Sequence, residues 1–150
     1  MNLLSRRSLL VSSLATVPAF ASTAWPSKPL RLVVPFPPGG GTDVAARILA
    51  ERLAQHLGQA VVVENKPGAS TLIGVGAVTA AEADGYTLLF SGSTSFTVNP
   101  ALRQRLPYDP FRQLAPIALV ARAPLVLAAS QASPHKGLKA LLADAAAHPG

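Results

Sequence analysis

Hydrophobic and polar positions follow two different periods along the chain from residue 30 onwards. Residues 30–34 form a short, nearly continuous apolar run, which predicts a buried strand. Residues 43–57 place apolar side chains at helical spacing, and Gly58 follows where a left-handed residue ends many helices. The β-branched run at 61–63 predicts the next strand. This part of the chain therefore predicts a β-α-β unit.

The helix predicted at residues 43–57 has a defined start and a defined buried face. Thr42 or Asp43 can cap its amino end, because both side chains carry an oxygen that accepts a backbone N–H. We expect one apolar face of this helix to pack against the sheet. The side chains that share that face are Ala45, Ile48, Leu49, Leu53 and Leu57.

The same alternation of periods continues towards residue 150. Residues 70–82 predict a second, weaker helix, in which close packing is one reason to tolerate Gly74 and Gly76. Strands that alternate with helices and are almost wholly apolar indicate an α/β fold with a parallel sheet covered on both faces. The further strands are predicted at 86–90, 117–120 and 125–129, and a last helix at about 137–147.

The first 21 residues have the pattern of a cleaved export signal. Arg6 and Arg7 precede an uncharged apolar stretch, and Ala19 and Ala21 supply a small-x-small cleavage site. The arginine pair also fits a twin-arginine signal, so export before folding and export after folding both stay open. An uncleaved membrane anchor is the weaker alternative, because a proline and several hydroxyl residues interrupt the stretch. Cleavage predicts a soluble protein in the periplasm.

Composition excludes several classes of function. With 49% hydrophobic residues, 13% charged residues and no cysteine, the chain is neither disordered, nor a coiled coil, nor a disulfide scaffold. Without the arginines of the signal, the formal charge falls from +6 to +4. The other basic residues are dispersed, apart from a cluster around Arg103 and Arg112, and the three histidines are far apart in sequence. We therefore expect no nucleic-acid partner and no metal site.

A glycine-rich segment joins the first predicted strand to the first predicted helix. Residues 35–43 read Pro-Phe-Pro-Pro-Gly-Gly-Gly-Thr-Asp, and open α/β sheets bind ligands at this place, beyond the carboxyl ends of their strands. The glycines leave the main chain uncovered, and the helix start offers unpaired N–H groups with a positive partial charge. Phe36 adds a flat apolar wall. These features predict a pocket for a small anion, with a turn that merely permits tight packing as the alternative.

The glycines do not match a nucleotide-binding motif. Val44 stands where a dinucleotide-binding loop needs its third glycine, although Glu64 lies where that fold places its ribose-binding acid. No lysine follows the glycines as a phosphate-binding loop requires. We therefore expect no cofactor.

A second polar loop, residues 91–95, follows the strand predicted at 86–90. Its hydroxyl groups either bind a ligand or satisfy the backbone of the loop itself. A secreted α/β-hydrolase-like enzyme could use the same cleft. That alternative has little support, because the chain has no cysteine and no Gly-x-Ser-x-Gly motif.

The glycine-rich segment resembles the signature of the Bug family, the substrate-binding proteins of tripartite tricarboxylate transporters. The resemblance extends over nearly all of residues 26–150. It implies a periplasmic, two-lobed α/β receptor with doubly wound sheets and no catalytic residues, which binds a small carboxylate and delivers it to a membrane permease. We expect a monomer. The further strings that carry the resemblance are Val62–Ala69, Ala83–Leu89, Asn99–Pro100 and Leu106–Pro110.

The resemblance also implies the organisation of the chain and of its site. Residues 22–123 would form the first lobe and residues 124–150 the crossover into the second. The family holds carboxylates largely with backbone N–H groups and bridging waters. Thr42 and Asp43 each stay open between a role at the helix start and contact with the ligand. The expected ligand-binding residues are Phe36, Pro38, Gly39, Gly40, Gly41, Thr42, Asp43, Ser91, Ser93 and Thr94.

Overall fold

The computed structural model describes residues 24–149, and the predicted signal peptide lies outside them. One compact unit ends at Ala115 and a second begins at Pro116. Two short turns precede helices, a 3-10 turn at Ala69–Thr71 and a π-helical turn at Thr94–Val98. The strands and helices, in chain order, are β1 (Leu30–Val34), α1 (Gly41–Leu57), β2 (Val61–Asn65), α2 (Leu72–Thr79), β3 (Thr87–Leu89), α3 (Asn99–Leu102) and α4 (Leu138–Ala147).

The three strands form one parallel sheet in the order β2-β1-β3. In the register of the sheet, Leu32 of β1 lies opposite Val63 of β2 and Leu88 of β3. Helix α1 connects β1 to β2, and α2 carries the chain back across β1 to β3. The first connection runs from β1 to one neighbouring strand and the second runs past β1 to the other, so the topological switch point lies between the carboxyl ends of β1 and β3.

The core lies between β1 and α1. Leu32 and Val34 of the strand form a buried cluster with Ala46 and Ala50 of the helix. Val33 points to the other face of the sheet by alternation and is also fully buried, so β1 is covered on both faces. The predicted α/β class with a parallel sheet is confirmed.

Helix α1 differs in two details from its prediction. It begins at Gly41 rather than at residue 43, and its N-cap is Gly40, which makes no side-chain capping bond; the predicted cap by Thr42 or Asp43 is wrong. Its buried face is centred on Ala46 and Ala50, whereas Ile48 is 59% exposed. The prediction placed the large apolar side chains on the buried face. Alanine occupies that face instead, because its small side chain allows the helix to approach the sheet more closely.

The strands predicted at 117–120 and 125–129 are wrong. The described residues between 116 and 137 contain no strand, and Leu125 is fully exposed. These apolar runs have strand propensity, but a strand requires a partner that completes its hydrogen bonds, and none of the described residues pairs with them. The last predicted helix is confirmed as α4. Within residues 24–149, no helix is both long enough and apolar enough to span a membrane.

Candidate functional site

Three loops leave the sheet at its carboxyl edge, and they start at Pro35, Lys66 and Phe90. The backbone ladder continues into two of them, because Lys66 N–H donates to the Val34 carbonyl at 2.8 Å and Phe90 N–H donates to the Val33 carbonyl at 2.9 Å. The loop after β1 therefore lies between the other two. The glycine-rich loop and the serine-rich loop leave the two strands that flank the switch point, where open α/β sheets form their ligand crevice.

The glycine-rich loop is open to solvent. A Cβ atom added at Gly39 or Gly41 would meet no atom within 4 Å, and one at Gly40 would meet only the Pro37 carbonyl at 3.7 Å. Gly39 has φ +83°, a left-handed conformation that favours glycine. The first bond of the α1 ladder is Val44 N–H to the Gly40 carbonyl, so the N–H groups of the preceding residues lie ahead of the ladder. No side chain of the described residues lies within 4 Å of the Cβ positions of these three glycines.

Asp43 is buried beneath the loop and holds it in place. Its Oδ2 accepts hydrogen bonds from Gly39 N–H at 2.9 Å and Arg47 Nε at 2.9 Å, and its Oδ1 accepts one from Asn65 Nδ2 at 2.8 Å. The Arg47 hydrogen bond, followed by those of Gly39 and Asn65, holds the pKa of Asp43 well below its usual range. All three hydrogen bonds come from other residues of the protein rather than from a ligand. Asp43 is therefore suited to orienting the glycine-rich loop.

Asn65 connects the end of β2 to the same loop. Its Nδ2 also donates to the Phe36 carbonyl at 3.2 Å, and its Oδ1 accepts a bond from Arg47 Nη2 at 3.1 Å. Phe36 itself is half-buried and packs against the core cluster. Asn65 was not among the site residues predicted from the sequence. In the sequence, Asn65 was marked only by its place two residues after the strand predicted at 61–63, in one of the strings that carry the family resemblance.

Polar side chains behind the serine-rich loop form a second network. Ser95 is fully buried; its Oγ lies 2.6 Å from Ser91 Oγ and donates to Thr71 Oγ1 at 2.9 Å. Asn99 Nδ2 donates to the Ser70 carbonyl at 2.7 Å and lies 3.3 Å from Thr71 Oγ1. The network therefore joins the loops that follow β2 and β3. Thr71 and Asn99 were not selected from the sequence, because only the folded chain brings them together.

The other predicted site residues lie along the same edge. Ser93 is exposed, and its carbonyl accepts a bond from Thr97 Oγ1 at 2.9 Å. Thr94 begins the π-helical turn, so the serine-rich segment is a loop only as far as Ser93. Thr42 is half-buried in the first turn of α1, and Pro38 is exposed. Hydroxyl side chains thus follow β3 and an exposed glycine main chain follows β1, the two strands that flank the switch point.

The cations at this edge are already paired. Arg47 bonds to Asp43, and Lys66 Nζ lies 3.6 Å from Glu64 Oε2. Residues 24–149 contain no group of three or more histidine, cysteine, aspartate or glutamate side chains that could hold a metal ion. An anion bound here would meet main-chain N–H groups and hydroxyls rather than a free basic side chain.

The fold and its open switch-point edge are those of an α/β solute-binding domain, and sequence comparison gives the family. Residues 45–150 match the tripartite tricarboxylate transporter family receptor, TctC, and the chain belongs to this family. The BugT protein of Bordetella pertussis is 44% identical over 134 residues, which are 89% of this chain and 41% of BugT. The chain thus spans about two fifths of the length of this relative. The predicted family is confirmed.

Solved structures agree with this assignment. An R. palustris protein solved with adipate is 34% identical and matches 82% of this chain and 41% of its own length, with a TM-score of 0.76. MatC from Rhodopseudomonas palustris with bound malate is 32% identical over 82% of this chain and 42% of its own, with a TM-score of 0.70. A third structure, described as a periplasmic transporter, is 52% identical over 58% of this chain and 29% of its own, with a TM-score of 0.56.

Proposed function

We propose that this protein is a periplasmic receptor that binds a small carboxylate at the carboxyl edge of its sheet and delivers it to a transporter permease. One observation carries the binding part of this proposal. The main chain of Gly39, Gly40 and Gly41 is exposed, and no side chain of the described residues lies within 4 Å of their Cβ positions, although Asp43 accepts the Gly39 N–H. The permease partner and the periplasmic location are supported by membership of the family rather than by the geometry.

The chemistry of the loop suits a carboxylate. N–H groups ahead of a helix ladder carry a positive partial charge, and they can donate to a carboxylate without any basic side chain. Hydrogen bonds to a charged group contribute about 1.5–3 kcal/mol each. Three or four of them, less the cost of ordering the ligand, give binding of roughly −8 kcal/mol, which corresponds to about micromolar affinity.

The predicted site residues divide into two roles in this proposal. Asp43 positions the loop, because its oxygens are already engaged with its own chain. The remaining residues form the ligand-facing edge, with main-chain groups on one side of the switch point and hydroxyl groups on the other. Those residues are Phe36, Pro38, Gly39, Gly40, Gly41, Thr42, Ser91, Ser93 and Thr94.

We further propose that the ligand is a small dicarboxylate that leaves the site chemically unchanged, as expected of a monomeric receptor rather than an enzyme. Two relatives of the same fold were solved with adipate and with malate. Both are short acids with two carboxylates, which places them first in any panel of ligands. The diamide of adipic acid is a neutral control of matched length.

Thermal unfolding of the full-length protein tests this proposal. Adipate or malate should raise the melting temperature, since a ligand that binds only the folded state adds RT ln(1 + [L]/Kd) to its stability, about 2.7 kcal/mol at 100 times Kd. The adipic diamide should leave the melting temperature unchanged. The absence of a shift with a broad panel of carboxylates would contradict the proposal, and conversion of the acid to a product would favour an enzyme.

Gly40→Leu tests the position of the site. Gly40 has φ −76°, which any residue can adopt, and a Cβ atom there meets no atom closer than 3.7 Å. The leucine should therefore leave the fold intact, cover the main-chain N–H groups and abolish the melting shift. Ala80→Leu adds the same side chain at an exposed position at the opposite end of α2, and it should retain the shift. Retention of the full shift by Gly40→Leu would reject this loop as the site.

A further inference from the structure

A left-handed turn lies in the third loop at the carboxyl edge of the sheet, between β2 and α2. Ala69, Ser70 and Thr71 have φ angles of 48°, 54° and 77°, although none of them is glycine. Such conformations are unfavourable for L-residues, most of all for a β-branched threonine, and they persist only where their surroundings enforce them. The turn must therefore be held by specific contacts.

Both neighbouring loops contact this turn or the helix that follows it. Thr71 Oγ1 accepts a bond from Ser95 Oγ, which in turn lies 2.6 Å from Ser91 Oγ in the serine-rich loop. On the other side, a Cβ atom at Gly74 of α2 would lie 2.6 Å from Pro35 Cβ, so the helix packs directly on the start of the glycine-rich loop. The turn and the helix that follows it thus contact a residue at the carboxyl end of the sheet on each side of the switch point.

Asn99 supplies the contact that secures the backbone of the turn. Its Nδ2 donates to the Ser70 carbonyl at 2.7 Å, and the residue is 4% exposed. Tyr108 also belongs to this network. Its side chain is buried, and its hydroxyl donates to the Ser95 carbonyl at 2.7 Å. Within the described residues, no buried side-chain nitrogen or oxygen atom lacks a partner. A fully satisfied buried network of this kind specifies one geometry for the loops that it joins.

We propose that Thr71 and Asn99 are positioning residues of the carboxylate site, which hold the turn at Ala69–Thr71 and through it set the distance between the glycine-rich and serine-rich loops. This inference rests on the proposed function. Neither residue touches the ligand. Their contribution to binding comes from the preorganised spacing of N–H groups and hydroxyls, which lowers the cost of ordering them around a bound acid.

Two substitutions at Thr71 separate this role from general stability. Thr71→Val keeps the shape of the side chain and removes Oγ1, which accepts the Ser95 bond. Thr71→Ser keeps the hydroxyl and removes only a methyl group. Thr79→Val is the matched control, because it also removes one threonine hydroxyl, whose bond goes to the Gly76 carbonyl at 3.2 Å near the far end of α2. Asn99→Ala tests the second residue.

Each variant of the full-length protein is compared in two measurements. The first is amide hydrogen exchange without ligand at residues 69–72 and 91–95, with residues 46–54 of α1 as the internal reference. The second is calorimetric titration with adipate and with malate, at a temperature where urea unfolding shows every variant to be folded. Thr71→Val and Asn99→Ala should exchange faster in both segments and raise Kd about tenfold. Thr71→Ser and Thr79→Val should bind as the wild type does.

The outcomes distinguish this inference from the function on which it rests. A wild-type protein that binds neither acid, nor any other carboxylate in the panel, contradicts the proposed function. Wild-type binding together with unchanged exchange, or with an unchanged Kd, in Thr71→Val and Asn99→Ala overturns only the positioning role. An equal loss of affinity in Thr79→Val also overturns it, because that result would report general stability.

Discussion

Asp43 is buried and yet keeps its negative charge, because its hydrogen bonds outweigh the cost of burying the carboxylate. A guanidinium, a backbone N–H and an amide donate to its two oxygens, and the start of α1 adds a positive field. From the sequence, an aspartate after three glycines could be recognised as part of the loop. Its partner Asn65 could not, because that contact depends on the pairing of β2 with β1.

The depressed pKa of Asp43 predicts a specific dependence of stability on pH. The charged carboxylate stabilises the folded state at all pH values above its usual pKa of about 3.9, and this contribution is lost as the pH falls through the lower folded-state value. The difference in free energy of unfolding between the wild type and Asp43→Asn should therefore be constant from about pH 7 to pH 5 and shrink below about pH 4.

Urea unfolding at pH 7, 5, 4 and 3 measures this difference. Glu51→Gln is the control, because Glu51 is an exposed carboxyl on the same helix. A difference for Asp43→Asn that stays constant down to pH 3 would mean that the hydrogen bonds around this carboxylate do not stabilise its charged form.

At the scale of the elements, the position of α2 depends on Gly74. The sequence alone shows only that this glycine is unusual within a helix. Gly74 lies against the β1 loop, where an added Cβ would come within 2.6 Å of Pro35 Cβ and 2.9 Å of the Lys66 carbonyl oxygen. Gly74→Ala should therefore destabilise the protein by about 1–3 kcal/mol. At Gly76, two residues further along, an added Cβ meets no atom within 4 Å. Gly76→Ala should stabilise the helix by up to about 1 kcal/mol.

Urea midpoints of the two alanine variants test this contrast, since the residue types and the helix are the same. Both glycines look equivalent in the sequence, and only the packing separates them. A stabilising effect at both positions would show that α2 can move away from the glycine-rich loop without cost.

The elements whose signals are local could be predicted, and those that depend on distant partners could not. The strand β1 and the end of α1 at the left-handed Gly58 follow from short-range patterns, and both are confirmed. The helix predicted from residue 70 begins only at Leu72, because Asn99, almost thirty residues away, holds Ser70 in a left-handed turn. The strands predicted after residue 116 failed for the same physical reason, since local propensity does not supply a pairing strand.

At the scale of the whole molecule, the candidate site is an open edge rather than an enclosed pocket. Residues 37–41 are exposed, so a carboxylate held by this edge alone would remain half in water. Sites that bind small molecules with micromolar affinity normally bury most of the ligand surface. A carboxylate bound at this edge with such affinity therefore needs a second surface that covers it.

An open edge that needs a second surface predicts that the full-length protein becomes more compact when it binds an acid. A receptor that closes over its ligand by a hinge motion should reduce its radius of gyration by an amount on the order of 1 Å, measured by small-angle X-ray scattering with saturating adipate or malate. Gly40→Leu is the matched control, because its fold is retained while its loop is blocked, and it should show no change. Tight binding without compaction in the wild type would mean that the edge is covered by a surface already in place, and the two-lobed closing mechanism would be wrong for this protein.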